Sequence, residues 1–154
     1  MQEEFNRLTQ MLKGKIHRDR AMRILYATDA SAYRELPLAV AIPNGEQDLI
    51  ELVKFARNNQ VSLIPRTAGT SLAGQVVGEG IVVDMSNHCD KVLEVNPEEK
   101  WVRVQPGVVR DDLNKHLAPY GLMFGPETAT ANRAMIGGMI GNNSCGANSI
   151  VYGS

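Results

Sequence analysis

A segment rich in glycine and hydroxyl side chains follows a predicted strand and has the composition of an anion-binding loop. It runs from Pro65 to Gln75 and reads PRTAGTSLAGQ. Successive backbone N–H groups in such a turn form a concave anion site, and small side chains let a phosphate approach. Gly69 and Gly74 have Walker A spacing, but Gln75 and Val76 stand where that motif needs Lys and Ser or Thr, so a nucleoside triphosphatase is not expected. The G-x-G-x-x-G fingerprint of a Rossmann site is also absent. From spacing alone, phosphate binding and a plain glycine-rich turn are equal alternatives.

A second glycine-rich segment, from Gly125 to Gly146, is nearly free of charge. Residues 128–154 contain a single charged side chain, Arg133. Paired glycines would let the backbone approach a flat or extended ligand, and amides and hydroxyls could supply hydrogen bonds. Those polar groups are Thr128, Asn142, Asn143 and Ser144. Taken alone, the segment is better explained as tightly packed inner chain.

The composition limits the class of protein. The chain has 154 residues with 16 Lys and Arg against 17 Asp and Glu, which suits one domain and argues against a nucleic-acid binder, since that needs a basic surface. Cys89 and Cys145 form no C-x-x-C pair and no His stands at metal-ligand spacing, so neither a disulfide framework nor a metal site is expected. The polar start is not a signal peptide, and no apolar run reaches the ~20 residues that span a bilayer, so the protein is predicted to be cytoplasmic and not membrane-spanning.

The first half of the chain predicts a small parallel β-α-β unit. Residues 3–26 have a helical pattern with a break near Gly14, and 1–36 are predicted to form an N-terminal helical segment. Strands are predicted over 38–42, 61–65 and 81–85, with a helix after the first of them, which implies parallel pairing. Asn44 and Gln47 have capping-box spacing at the start of that helix. Its core stripe is predicted to be Leu49, Leu52, Val53 and Ala56.

The second half predicts the start of an antiparallel sheet. Residues 91–95 and 100–105 are two strands joined by a turn that contains Pro97, and hence a hairpin. Period-two alternation places Leu93 and Val95 on one face. A helix follows, with Val109, Leu113 and Leu117 on one side. The predicted fold class is therefore α+β: a small parallel β-α-β subdomain, and then the opening of an antiparallel sheet subdomain.

Taken together, the two glycine-rich segments resemble the FAD-binding domain of the vanillyl-alcohol oxidase (PCMH-type) flavoproteins. Residues 65–75 are similar to that family's pyrophosphate loop, and residues 125–153 are similar to its second flavin segment. The stretches 29–37, 82–86 and 104–107 also fit. Within the superfamily, the chain is most similar to FAD-linked dehydrogenases of D-2-hydroxy acids, the D-lactate and glycolate type. The resemblance implies that residues 37–154 are a PCMH-type FAD-binding domain, incomplete at its C-terminal end.

The resemblance also implies the cofactor site. Main-chain N–H groups of residues 66–71 would wrap the FAD pyrophosphate, and residues 126–128 would line the flavin or its ribityl chain. Gly138 and residues 142–145 would close over the cofactor. Thr67 and Ala68 replace two family glycines, so both are expected to have negative φ. Members with covalent flavin carry His where this chain has Thr70, which implies non-covalent FAD. Cys145 is expected to be a small buried residue and not a redox thiol. The implied cofactor-binding residues are Arg66, Thr67, Ala68, Gly69, Thr70, Ser71, Gln75, Pro126, Glu127, Thr128, Gly137, Gly138, Asn142, Asn143, Ser144 and Cys145.

In this family a hydride passes from the carbon of a 2-hydroxy acid to the flavin, and the protein orients the cofactor. The resemblance therefore implies a flavin-dependent oxidoreductase acting on a small 2-hydroxy acid, with the catalytic base and the substrate domain outside this chain, which alone would be inactive. No catalytic residue can be nominated among residues 1–154. The alternative is a non-catalytic phosphate- or nucleotide-binding module, or a structural fragment. The unpaired edge of the predicted antiparallel sheet favours self-association, or else disorder after Pro126. Attachment to the inner face of the membrane is a further expectation for the localisation.

Overall fold

The computed structural model describes residues 2–154, which divide into two compact units at His88 and Cys89. The first unit contains three helices and four strands. The second contains a hairpin, three helices and a 3-10 turn at Ala118–Tyr120. In chain order the elements are α1 (Gln2–Met11), β1 (Lys15–His17), α2 (Arg20–Leu25), β2 (Ala39–Ile42), α3 (Glu46–Asn59), β3 (Leu63–Arg66), β4 (Ile81–Asp84), β5 (Val92–Asn96), β6 (Trp101–Val104), α4 (Arg110–Leu117), α5 (Ile136–Gly141) and α6 (Ser149–Tyr152).

The sheet of the first unit has the order β1-β2-β4-β3. Strands β2 and β3 both pair in parallel with β4, which lies between them, and this confirms the predicted parallel unit. All four residues of β4 are buried, as expected for a central parallel strand covered on both faces. The carboxyl ends of β3 and β4 therefore lie side by side, with Arg66 opposite Asp84.

The start of the chain differs from the predicted helix over residues 3–26. Helices α1 and α2 are present, but β1 lies between them and pairs antiparallel with β2. Three residues are too few to show a strand period, and it is the backbone pairing with β2 that decides their conformation. Asp19 caps α2 by accepting a hydrogen bond of 3.0 Å from the Met22 N–H.

Helix α3 buries a different stripe from the one predicted. Leu52 and Ala56 are buried as expected and Phe55 packs against Phe5, but Val53 is 58% exposed, so its assignment to the core was wrong. The predicted capping box is also not formed, because Gly45 occupies the N-cap and makes no side-chain hydrogen bond.

Asp48, in the first turn of α3, binds the backbone instead. Its carboxylate accepts hydrogen bonds from the N–H groups of Lys13, Gly14 and Asn44 at 2.7–2.9 Å. The side chain is almost fully buried, and it ties the chain before β1 to the start of α3.

The second unit is built on the β5–β6 hairpin, which confirms the predicted antiparallel pair. The buried residues of its core are Val108, Leu113, Leu117, Ala134, Ile136 and Met139. Val92, Val95, Val102 and Val104 pack against this core, whereas Leu93 is 54% exposed. The register shifts between Val92 and Glu94, so a bulge displaces Leu93 from the face predicted by simple alternation.

The hairpin forms a two-stranded sheet with no third strand among the described residues. The segment after Pro126 contains the short helices α5 and α6. No helix within residues 2–154 is both long and apolar enough to cross a bilayer.

Candidate functional site

The first candidate segment begins where β3 ends, at Arg66. Gly69 and Gly74 have φ of 66° and 70°, in the region that favours glycine, whereas neither Thr67 nor Ala68 has positive φ, as predicted. The Gly69 carbonyl accepts a hydrogen bond of 3.1 Å from the N–H of Ala30, so a neighbouring segment braces the turn. The loop is thus a defined turn, and at Gly69 no side chain separates the backbone from its neighbours.

The far end of the same loop is held by its own side chains. The Ser71 hydroxyl donates to Gln75 Oε1 at 2.7 Å, and the Ala73 N–H donates to Ser71 Oγ at 3.1 Å. Gly74 lies against the ring of Tyr33, where a Cβ would be 2.8 Å from Cδ2. Ser71 and Gln75 therefore shape the turn in addition to any contact with a ligand.

The guanidinium of Arg66 lies against the Gly69 backbone. A Cβ built on Gly69 would be 2.7 Å from Arg66 Nη2, while Nη1 donates to the Thr28 carbonyl at 2.7 Å. No carboxylate of residues 2–154 forms a salt bridge with Arg66. A cation that forms no salt bridge with a carboxylate, beside a glycine turn, has the chemistry that a phosphate site needs.

Two residues of this site were not predicted from the sequence. The hydroxyl of Tyr26 donates a hydrogen bond of 2.5 Å to Asp84 Oδ2, and the Tyr26 ring lies 5.2 Å from the Arg66 guanidinium carbon. Burial raises the pKa of Tyr26 to about 12, assisted by the hydrogen bond and the charge of Asp84, while the charge of Arg66 acts in the opposite direction. A charged residue ending an otherwise apolar strand was the available signal for Asp84, whereas nothing local marks Tyr26.

Asp84 is buried and its carboxylate is fully engaged. Besides Tyr26, it accepts from the Ser86 N–H and hydroxyl at 2.8 and 2.6 Å, and from the Asn87 amide at 3.2 Å. Its partners also fix the turn that follows β4. Asp84 is therefore an anchor for its neighbours and has little capacity left to bind a ligand.

The second candidate segment lies in the second unit, and α4 fixes its beginning. Arg110 Nε donates to the Pro126 carbonyl at 3.2 Å. Asn114 makes a reciprocal pair with Phe124, accepting from its N–H at 2.7 Å and donating to its carbonyl at 3.3 Å. Sequence reasoning did not single out Arg110 or Asn114, because their partners are backbone groups that leave no trace in residue type.

Glu127 links the two ends of this segment. A Cβ on Gly146 would be 2.1 Å from the Glu127 carbonyl oxygen, and the Asn148 amide donates to Glu127 Oε2 at 3.3 Å. The Thr128 hydroxyl lies 3.4 Å from that of Thr130. The backbone at Glu127 and that at Gly146 are therefore in contact, which brings residues 126–128 close to residues 144–146.

The glycine pair and the polar residues after it have separate surroundings. Gly137 is packed against Pro106, whereas Gly138 is exposed. The Asn142 amide donates to Ser144 Oγ at 3.1 Å, and Asn143 has a φ of 48°. Cys145 is exposed in the chain itself and Cys89 is buried, and burial of Cys145 under the cofactor stays a prediction. The accessible groups here include the amides of Asn142 and Asn143 and the backbone of Gly138, which suit an uncharged, extended ligand surface.

Comparison with known proteins identifies the fold. Residues 37–154 match the family model of the FAD binding domain. This chain belongs to that family. FAD is therefore the cofactor of the domain, and the donor set around Arg66 and Gly69 fits a diphosphate.

The relatives of this FAD-binding domain include D-2-hydroxyglutarate and D-lactate dehydrogenases. The chain is 46% identical over 144 residues to D-2-hydroxyglutarate dehydrogenase from Pseudomonas putida, covering 92% of this chain and 14% of that protein. It is 44% identical to D-2-hydroxyglutarate dehydrogenase from Escherichia coli, covering 86% and 13%. It is 34% identical to the mitochondrial D-lactate dehydrogenase [cytochrome] of Kluyveromyces lactis, covering 77% and 21%. The chain thus spans about one seventh of the length of the D-2-hydroxyglutarate dehydrogenases that it matches.

Solved structures confirm the fold class. An alkyldihydroxyacetonephosphate synthase matches with a TM-score of 0.88 at 22% identity, covering 100% of this chain and 31% of its own. The 6-hydroxy-D-nicotine oxidase from Arthrobacter nicotinovorans matches with a TM-score of 0.76 at 21% identity, covering 92% and 31%. Both structures therefore share the α+β fold of this chain, in which the first unit has a mixed sheet with a parallel β2-β4-β3 part and the second has an antiparallel hairpin.

Proposed function

We propose that this chain is the FAD-binding part of a flavin-dependent dehydrogenase that oxidises D-2-hydroxyglutarate. The observation that carries the proposal is the 46% identity to a D-2-hydroxyglutarate dehydrogenase over 92% of the chain. Identity to the glycolate and D-lactate enzymes is lower, at 30% to 34%. This narrows the D-2-hydroxy acids expected from the sequence to a dicarboxylic member of that class.

Within this proposal, each of the two candidate segments binds one part of FAD. Residues Arg66 to Ser71 and Gln75 bind the diphosphate, because their N–H groups, hydroxyls and guanidinium are donors suited to an anion. Pro126 to Thr128, Gly137, Gly138 and Asn142 to Cys145 line the flavin and its ribityl chain. The flavin accepts the hydride when it is bound, and the residues of this chain orient it. The boundary between a segment 1–36 and a domain 37–154 belongs to the same proposal and is supported by the start of the family match at residue 37.

The test uses the full-length protein that contains this chain. We expect it to be yellow, to release FAD on denaturation, and to be bleached anaerobically by D-2-hydroxyglutarate faster than by D-lactate or glycolate. The L enantiomer of 2-hydroxyglutarate is the matched control and should leave the flavin oxidised. A colourless protein that cannot be reconstituted with FAD would favour a phosphate-binding or structural role instead. Bleaching by D-lactate or glycolate alone would exclude the dicarboxylic substrate.

Two further expectations concern the surroundings of the protein. We infer that the protein lies in the cytoplasm. Contact with the inner face of the membrane is the alternative to be tested. Cell fractionation with and without a high-salt wash separates the two, because a peripheral protein is released from the membrane fraction by salt. Self-association through the β5–β6 edge is the expected contact between copies of the chain.

A further inference from the structure

Tyr26 joins two groups of the first unit that are distant in sequence. Its hydroxyl is bound to the buried carboxylate of Asp84, and its ring lies beside the guanidinium of Arg66. Asp84 and Arg66 are themselves paired residues on β4 and β3. The tyrosine is thus fixed at its tip by Asp84 and presents its ring to Arg66.

This arrangement determines where the cation of the loop can lie. An arginine side chain has several rotatable bonds, and an exposed one samples many positions. Here the Thr28 carbonyl accepts one hydrogen bond from Arg66, the Tyr26 ring lies on one side of the guanidinium, and the backbone of Gly69 lies close to Nη2. Among the described residues, Nη1 makes the hydrogen bond to Thr28, and Nε and Nη2 of Arg66 lie beside the glycine turn.

We propose that Tyr26 is a positioning residue for the cofactor diphosphate, which it serves by holding the Arg66 guanidinium against Gly69. This inference rests on the proposed FAD site and adds to it a residue that acts through Arg66. Tyr26 lies 40 positions before Arg66, and outside the matched family segment 37–154. The ordering of the guanidinium before FAD arrives lowers the entropy lost when the diphosphate binds.

The test is a double-mutant cycle on the full-length protein, with ligand affinity as the readout. Apo-protein is titrated with FAD and, in parallel, with riboflavin, which has the same isoalloxazine ring and no phosphate. We expect Arg66→Met to weaken FAD binding about tenfold or more, as for loss of one charge-assisted hydrogen bond, and Tyr26→Leu to weaken it by a similar factor. The Arg66→Met/Tyr26→Leu double variant should bind FAD no more weakly than Arg66→Met, and riboflavin affinity should be unchanged throughout.

A purely structural role of Tyr26 predicts different results. In that case Tyr26→Leu would weaken FAD and riboflavin alike, and its effect would add to that of Arg66→Met, which would overturn the proposal. Tyr26→Phe covers the event that Tyr26→Leu does not fold. It retains the ring and loses the tie to Asp84, and it should weaken FAD binding by less than Arg66→Met and only while Arg66 is present. An effect of Tyr26→Phe that persists in the Arg66→Met background contradicts the positioning role.

The same measurements separate this inference from the proposed function. Tyr120→Leu, at a tyrosine 48% exposed in the second unit, is the matched control and should change neither affinity. Wild-type protein that binds FAD but leaves D-2-hydroxyglutarate unoxidised contradicts the proposed substrate and still allows the cycle to be read. If the wild type binds FAD but the affinity losses of the two single variants add up in the double variant, only the role of Tyr26 is contradicted. Protein that binds no FAD contradicts the FAD site and the positioning role with it.

Discussion

Gly137 lies directly on Pro106, so closely that a Cβ on the glycine would be 2.4 Å from the proline Cβ. The Gly137 N–H also donates to the Pro106 carbonyl at 2.9 Å, which fixes the start of α5 on the segment that follows β6. The packing of the second unit therefore gives a reason for glycine at this position that does not involve the cofactor. Both requirements can hold together, because backbone that packs on one side can face a ligand on the other.

Replacement of Gly137 by alanine should therefore destabilise the protein. We expect Gly137→Ala to lower the free energy of unfolding by about 1–3 kcal/mol, as for other overpacked sites, measured by urea denaturation. Gly141→Ala in the same helix is the matched control, because a Cβ there meets nothing within 4 Å. It should be neutral or stabilise the helix by up to about 1 kcal/mol. Equal effects at both positions would show that the contact with Pro106 is unimportant.

Asp48 should link stability to acid pH. Burial raises its pKa, but hydrogen bonds from the N–H groups of Asn44, Lys13 and Gly14 and the charge of Lys13 hold it below the ordinary value of 3.8. Since the folded pKa is depressed, the carboxylate contributes stability that is present above pH 3.8 and is lost as pH falls through the folded pKa. We expect Asp48→Asn to lose about 2 kcal/mol near neutral pH and to show a shallower loss of stability in acid.

The comparison for Asp48 is Asp112→Asn, at a carboxylate 64% exposed beside Lys115. Its effect should stay below about 1 kcal/mol, as for other exposed ion pairs. Denaturation curves across acid pH for the three proteins provide the measurement. A wild-type curve parallel to that of Asp48→Asn below pH 3.8 would contradict the assignment to this carboxylate.

Tyr26 should link stability to alkaline pH. Burial and the hydrogen bond to Asp84 raise its pKa from 10.0 to about 12, so the folded state holds the phenolic proton more tightly than the unfolded state does. The resulting stabilisation is complete below pH 10.0 and is lost as pH rises towards 12. The difference in phenolate absorbance between the wild type and Tyr26→Phe should titrate near pH 12. Asp84→Asn should lower the pH at which this difference titrates. A difference titration at pH 10.0 in the wild type would refute the tie to Asp84.

The flavin should be bound without a covalent link at residue 70. A threonine hydroxyl cannot form the histidyl linkage implied for the covalent members that this loop resembles. We expect all FAD to appear in the supernatant after acid precipitation of the full-length protein, and no flavin fluorescence to remain with the denatured polypeptide on a gel. Fluorescence that stays with the polypeptide would mean that another residue is the attachment point.

The β5–β6 hairpin should promote association of this chain with itself. The sheet has two strands among the described residues, and an unpaired edge is a template for another strand. Leu93→Lys adds a charge at the bulge of β5, where the side chain is already 54% exposed, and should reduce the associated fraction seen by sedimentation velocity. Ile150→Lys, at a residue 98% exposed on α6, is the control. If both variants act equally, exposed apolar side chains explain the association and the sheet edge does not.

The sequence predicted those parts of the fold that depend on local signals. Strands β2, β3 and β4 were predicted because each is a short apolar run, and α4 because Leu113 and Leu117 recur at helical spacing. Two of the errors concern which face of an element is buried. Val53 fits the helical period but lies on the outer face of α3, and Leu93 is displaced by a bulge whose cause lies in the pairing of two strands.

The same limit applies to the candidate site. The loop 65–75 could be found because glycine and hydroxyl residues are concentrated within it. Tyr26 could not, since its partner Asp84 is 58 positions away and a single tyrosine at the end of a short helix has no pattern. Asn114 and Arg110 were missed because they bind backbone carbonyl and N–H groups, which every residue type provides.

Strand β1 affects the order in which the first sheet can assemble on a ribosome. Strand β2 gains its neighbour β4 only after residue 84 has been synthesised, because the parallel partner is inserted last, between β2 and β3. Strand β1 is made before β2 and pairs with its other side, from Lys15 opposite Ile42 to His17 opposite Val40. One edge of the nascent strand can therefore be protected while roughly forty residues are still to be added, at about 5–20 residues per second. A nascent chain that lacks residues 15–17 would leave both edges of β2 open for those seconds.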